Sequence, residues 1–161
     1  MPRLDRLLKC WPFAFQALAL GLVFTASPIN AQVKRSLLVD LEERYLYLKE
    51  NEKMLSRYPI AVGNDQSPTP RGDFSIMRKD NAPRYMDESG NIHRPGPSSP
   101  VGTKLLLIHV DSKGSYAIHG TPWPVWVKSR SRVTKGCIRM LNPHIEEIFS
   151  LVEIGDTVVV K

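Results

Sequence analysis

From Ser36 to Val62 the apolar residues come in short runs separated by charged or turn-forming residues, and a helical repeat is convincing only between Pro143 and Val152. Runs of that length are too short for amphipathic helices and suit half-buried strands, so the chain is confined to a mainly β fold with one helix. Ser36–Leu41 and Arg44–Lys49 flank Glu42-Glu43 and read as a hairpin. Met54–Val62 is a third strand ending at Gly63, Pro68–Gly72 is a turn, and Asp73–Arg78 resumes strand. Lys104–Val110, Ser115–His119 and Thr157–Lys161 supply the remaining strands. Ile145, Ile148, Phe149 and Val152 share one helical face, with Asn142 placed to cap and Pro143 suited to the first turn. Two loops stand out. Lys79–Val101, rich in Pro and Gly, is a long excursion of the kind that covers a groove, and Gly120–Gly136 is the second.

At 161 residues there is room for one domain, and 42% apolar with 24% charged residues is an ordinary globular composition. Arg3, Arg6 and Lys9 precede an apolar centre, Trp11–Thr25, and the small-residue stretch Ala26–Ala31. That order predicts a secretory signal over residues 1–31 and a mature domain over 32–161, with an uncleaved anchor as the alternative. Loss of residues 1–31 removes Arg3, Arg6, Lys9 and Asp5 and takes the net charge from +6 to +4. The excess suits an acidic polymer, a nucleic acid or a membrane surface without choosing among them.

Cleavage after Ala31 also removes Cys10 and leaves Cys137 alone, unable to form an internal disulfide. A lone thiol in an exported chain is exposed to oxidation, which favours a thiol that is used. Its setting supports that reading: Cys137 follows Gly136 in a segment holding Lys128, Arg130, Arg132, Lys135 and Arg139, with no acidic residue between Ser112 and Ile145. A strand-end histidine, His119, precedes Gly120. A nearby imidazole and positive charge favour the thiolate, and amides around Gly136 and Cys137 are candidates to receive an oxyanion. His93, His109 and His144 show no ligand spacing, so no metal and no cofactor are expected.

Ile118-His119-Gly120-Thr121 and Thr134-Lys135-Gly136-Cys137-Ile138-Arg139-Met140 together resemble the signature of the L,D-transpeptidase (YkuD-like) catalytic domain. The resemblance extends through Tyr58–Gly63, Thr69–Phe74, Pro95–Pro97 and Val152–Val160. It implies a mixed, mostly antiparallel β-sandwich or barrel-like domain with one α-helix after the catalytic cysteine. It implies a cysteine nucleophile, Cys137, and a base, His119, oriented by a backbone carbonyl rather than by an acid. Gly136 matches the loop glycine, Arg139 the arginine after the cysteine, and Thr134 the hydroxyl position; Tyr116, Gly120 and Thr121 complete the substrate-side candidates. The implied reaction is acyl transfer on peptidoglycan stem peptides, donor and acceptor, through a thioester that expels terminal D-alanine. The alternatives are an L,D-carboxypeptidase at the same site and a vestigial wall-binding module. An exported monomer of the periplasm or cell wall follows, with no nucleic-acid partner and no membrane contact beyond an N-terminal anchor. Lys135 departs from the pattern, standing where histidine is most frequent.

Overall fold

A computed structural model describes residues 33–161. The expected signal, residues 1–31, lies outside the described residues, and Cys10 with it. Thirteen strands and two helices follow one another: β1 Arg35–Asp40, β2 Tyr45–Glu50, β3 Lys53–Pro59, β4 Val62–Gly63, β5 Gly72–Ser75, β6 Arg78–Asp80, β7 Tyr85–Met86, β8 Ile92–His93, β9 Leu105–Asp111, β10 Gly114–His119, α1 Pro124–Lys128, β11 Arg132–Thr134, β12 Ile138–Arg139, α2 Asn142–Leu151 and β13 Thr157–Val160. Among the described residues no helix is long and apolar enough to cross a membrane.

Two mixed sheets share one core. The first runs β3-β2-β1-β13-β5 and the second β12-β10-β9-β6, with the ribbons β11-β4 and β7-β8 beside them. Alternation sets the faces, because successive strand residues point to opposite sides. Leu37 and Val39 of β1, Leu46 and Leu48 of β2, and Val158 and Val160 of β13 are buried, while their neighbours are only partly covered. Register makes rungs of them: Leu37 pairs with Leu48 and Val158, and Val39 with Leu46 and Val160. From the second sheet Leu106, Ile108, Ile118 and Ile138 meet this layer, and α2 adds Ile145 and Ile148. Each such side chain, fully buried, contributes about 1.5–3 kcal/mol relative to exposure.

Six of the nine strand pairings are antiparallel and three are parallel: β1 with β13, β10 with β12, and β4 with β11. The mixed, mostly antiparallel expectation therefore holds, and three details of it are corrected. Met54–Val62 is not one strand, because Ile60 leaves the first sheet after bonding Arg44 O and Ala61 exchanges both backbone bonds with Arg139. Asp73–Arg78 also divides: β5 pairs with β13, the Ile76 amide bonds Asp156 O, and β6 joins β9 in the other sheet. The loops carry structure too, β7 and β8 within Lys79–Val101, and α1 and β11 within Gly120–Gly136.

The cap was also misassigned. Leu141 is the N-cap of α2, without a side-chain capping bond, and Asn142 is already inside the helix. Its amide is drawn away by buried backbone that needs partners: Oδ1 accepts from the Thr121 and Thr103 amides at 3.1 and 3.3 Å, and Nδ2 donates to Pro97 O at 3.3 Å.

Candidate active site

β10 is the interior strand that fixes the site. Tyr116, Ala117, Ile118 and His119 are all buried, as expected for a strand covered on both faces. In the parallel β10–β12 pair His119 is in register with Arg139. Registered residues point the same way, and Cys137, two positions before Arg139, falls on that face by the strand period. His119, Cys137 and Arg139 do line one cleft of about 450 Å³.

His119 is 4% exposed, and its Nδ1 lies 2.6 Å from Gly120 O. A carbonyl only accepts, so Nδ1 carries the hydrogen and Nε2 of the neutral ring holds a free lone pair. Burial pushes the imidazole pKa down to about 4; the Gly120 carbonyl opposes that shift and the Arg139 charge adds to it. Burial raises the Cys137 thiol, against smaller lowering contributions from the Ala117 backbone and Arg139. The sulfur lies 3.7 Å from Ser115 O. These directions agree on a resting pair of neutral thiol and neutral imidazole. The expectation of a thiolate favoured by a basic loop is therefore corrected: burial outweighs the nearby charge, and three of the segment's five cations are engaged elsewhere. Arg132 pairs with Asp65 at 3.0 Å, Lys135 with Glu88, and Arg130 binds Glu43 O at 3.0 Å. Arg139 is the cation whose charge bears on the sulfur.

Arg139 is held from behind. Its guanidinium packs 5.2 Å from the ring centroids of both Trp123 and Trp126, so these tryptophans brace the arginine. Its Nε and Nη1 are buried without a hydrogen-bond partner among the described residues, an arrangement that leaves strong donors for a ligand.

The other sequence candidates separate into liners and supports. Thr134 borders the cleft, but its hydroxyl is spent inside the loop: Oγ1 donates to Cys137 O at 2.6 Å and accepts from the Gly136 amide at 3.1 Å. That bond also removes the Gly136 amide from the pair expected to receive an oxyanion. Gly136 has φ +109°, and a Cβ there would lie 2.6 Å from the Tyr116 ring. Tyr116 is thus a support beneath the loop, stacked on His109 at 5.7 Å, and not a cleft residue. Gly120 and Thr121 do not border the cleft either. A Cβ on Gly120 would meet Asn142 Oδ1 at 2.1 Å, and the Thr121 amide donates to the same oxygen. Asn142 was missed as a site residue because its place before a helix looked sufficient to explain it.

The opposite wall comes from the long excursion: Tyr85, Asp87, Glu88, Ser89, Pro100 and Val101. The β7–β8 hairpin is tied by Asp87, which accepts from the Ser89 and Asn91 amides at 3.0 and 2.9 Å and lies 3.0 Å from His93 Nε2. His93 first, then Asn91, hold the Asp87 carboxyl down to about 2. Lys135 and Glu88 join this wall to the cysteine loop across the cleft.

Comparison with known proteins agrees with this geometry. Residues 34–160 match the family model described as the L,D-transpeptidase catalytic domain, YkuD. A protein of Bacillus licheniformis named as L,D-transpeptidase YkuD is 36% identical over 120 residues, covering 74% of this chain and 61% of the relative. Its Bacillus subtilis namesake is 30% identical over 141 residues, covering 88% and 74%. In fold, L,D-transpeptidase 3 of Mycobacterium tuberculosis, solved with a faropenem-derived adduct, superposes with a TM-score of 0.63 at 18% identity over 80% of this chain and 60% of that one.

Proposed function

The chain belongs to the L,D-transpeptidase catalytic domain family, and from that premise we propose that it transfers an acyl group between peptidoglycan stem peptides through a thioester on Cys137. The observation that carries this is the shared face of β10 and β12, where a buried base, a thiol and a guanidinium without a polar partner border one cleft.

The sulfur attacks the carbonyl preceding the terminal D-alanine while its proton passes to Nε2 of His119, the nitrogen left free by the Gly120 bond. A neutral pair at rest means that charge appears only as the C–S bond forms. With the Gly136 amide committed to Thr134, the Cys137 amide is the candidate of that pair for the tetrahedral oxyanion. Collapse breaks the C–N bond, and the departing amine takes the proton from the imidazolium. Burial makes that imidazolium a ready acid, so the proton is returned and not stored. The thioester then waits for the acceptor amine. His119 removes a proton from it, the new amide forms, and the sulfur leaves and recovers the proton as thiol. Arg139 supplies its unpartnered donors to a stem carboxylate.

The test is mass spectrometry of the chain after incubation with a tetrapeptide stem. An adduct on Cys137 is expected with loss of D-alanine, and none in Cys137→Ala; persistence of the adduct in that variant would sink the assignment. Dimers formed with an acceptor amine distinguish transfer from the carboxypeptidase outcome, in which water alone resolves the thioester.

A further inference from the structure

A second pocket, of about 340 Å³, takes Val62 and Gly63 of β4 and Arg132 of β11 into its lining. Arg44, Arg71 and Arg132 line it with a single carboxylate, Glu42, and Arg132 is paired with Asp65 outside the lining, which leaves one net positive charge. The floor is close-packed backbone. Thr69 is buried and accepts the Gly63 amide at 2.9 Å, and a Cβ on Gly63 would lie 2.4 Å from Ser67 O. Arg44 sits in the left-handed region at φ 55°, an unfavourable setting for a long side chain. Its Nε is buried with no partner among the described residues. An unpaired buried donor of a cation is costly unless something accepts from it. Arg71 is only loosely tied, 3.8 Å from Glu42, while Arg132 is paired at 3.0 Å with Asp65, which does not border the pocket.

We propose that this pocket binds a free carboxylate of a second peptide strand, outside the catalytic cleft. The guanidinium fork matches a planar carboxylate, and one net positive charge suits a monoanion better than a doubly charged phosphate. The two sites are joined by β11. Arg132 borders the pocket and Thr134, two positions on, borders the cleft, a separation of about 7 Å along the strand. The pocket therefore adjoins the cleft along β11, where a peptide that enters the cleft can meet it. That identity for the ligand rests on the acyl-transfer reading; the anion site itself does not.

The test titrates the full chain with N-acetyl-D-alanine, its uncharged amide, and inorganic phosphate, following the Gly63 and Thr69 amides and the Arg44 Nε–H by NMR. The carboxylate is expected to shift all three saturably and the amide analogue to shift none. Arg71→Gln and Arg132→Gln are each expected to raise the half-saturating concentration at least fivefold, and both change partly exposed side chains, so they keep the test informative should Arg44→Gln fail to fold. In a transfer assay, dimer formed per acyl-enzyme at subsaturating acceptor should fall at least fivefold in Arg71→Gln. Shifts confined to residues around Cys137, saturation by phosphate alone, or variants that bind like the parent would each overturn the proposal. Absence of acyl-enzyme in the parent chain would count against the enzymatic reading, while the titration would still decide the pocket.

Discussion

One wall of the cleft hangs on the β10–β12 ladder with its side chains pressed against the core, whereas the facing wall is a hairpin of two-residue strands closed by one aspartate. On the first wall His119, Thr134 and the Gly136 loop are buried and interlocked through backbone bonds. On the second, Met86 and Ile92 are 67% and 69% exposed, and the link to the cysteine loop is a solvent-exposed ion pair. The difference separates two tasks. Reacting atoms need positions fixed to a fraction of an ångström, which a ladder provides. A wall that meets varied peptides gains from ties cheap enough to break.

The comparison fails first if His119 proves replaceable. His119→Gln keeps much of the ring's volume and removes the base, and acylation of Cys137 by the tetrapeptide stem should slow at least 100-fold in a rapid-quench assay. A loss under tenfold would mean that the ladder does not hold the base. The same buried ring sets an acid limit. Its folded pKa, about 4, lies below the unfolded value near 6.5, so the unfolded chain binds the extra proton. This contribution to stability is complete above about pH 6.5 and is lost progressively as pH falls toward 4, by on the order of 3 kcal/mol. Urea midpoints measured from pH 7 to 4 should fall, and fall less steeply in His119→Gln.

Gly136→Ala sharpens the contrast at the loop. The methyl meets Tyr116 at 2.6 Å from a backbone at φ +109°, and a loss of about 1–3 kcal/mol is expected by thermal denaturation. Relief by a companion Tyr116→Ala would show that the ring sets the limit. The smallest effect belongs to the tie between the two walls: Lys135→Ala should change the acylation rate less than about threefold, since exposed pairs contribute ~0–1 kcal/mol. A 50-fold change would make Lys135 part of the machinery and erase the distinction between the walls.

What could be read from the chain follows the same division. Strand existence was legible wherever alternation is enforced by a one-sided core, as in Leu37/Val39 and Val158/Val160. It was not legible at Ile60–Ala61 or Ile76, which are apolar because they cross between sheets, and a crossing residue is buried without any period. His119 and Cys137 were readable because their neighbours are glycines of specific use. The thiol's protonation was not, because it depends first on how deeply the finished fold buries the sulfur, which no local pattern around Cys137 records. Asn142 illustrates the limit: one side chain satisfied a local rule in the sequence and a tertiary need in the fold.

β13, the last strand, lies between β1, the first, and β5. The five-stranded sheet therefore cannot close progressively along the chain; β1 keeps one edge bare until β13 is present, so its completion is a late, long-range step. Such a topology leaves the sheet's hydrophobic face unpaired for longer than a hairpin-by-hairpin order would.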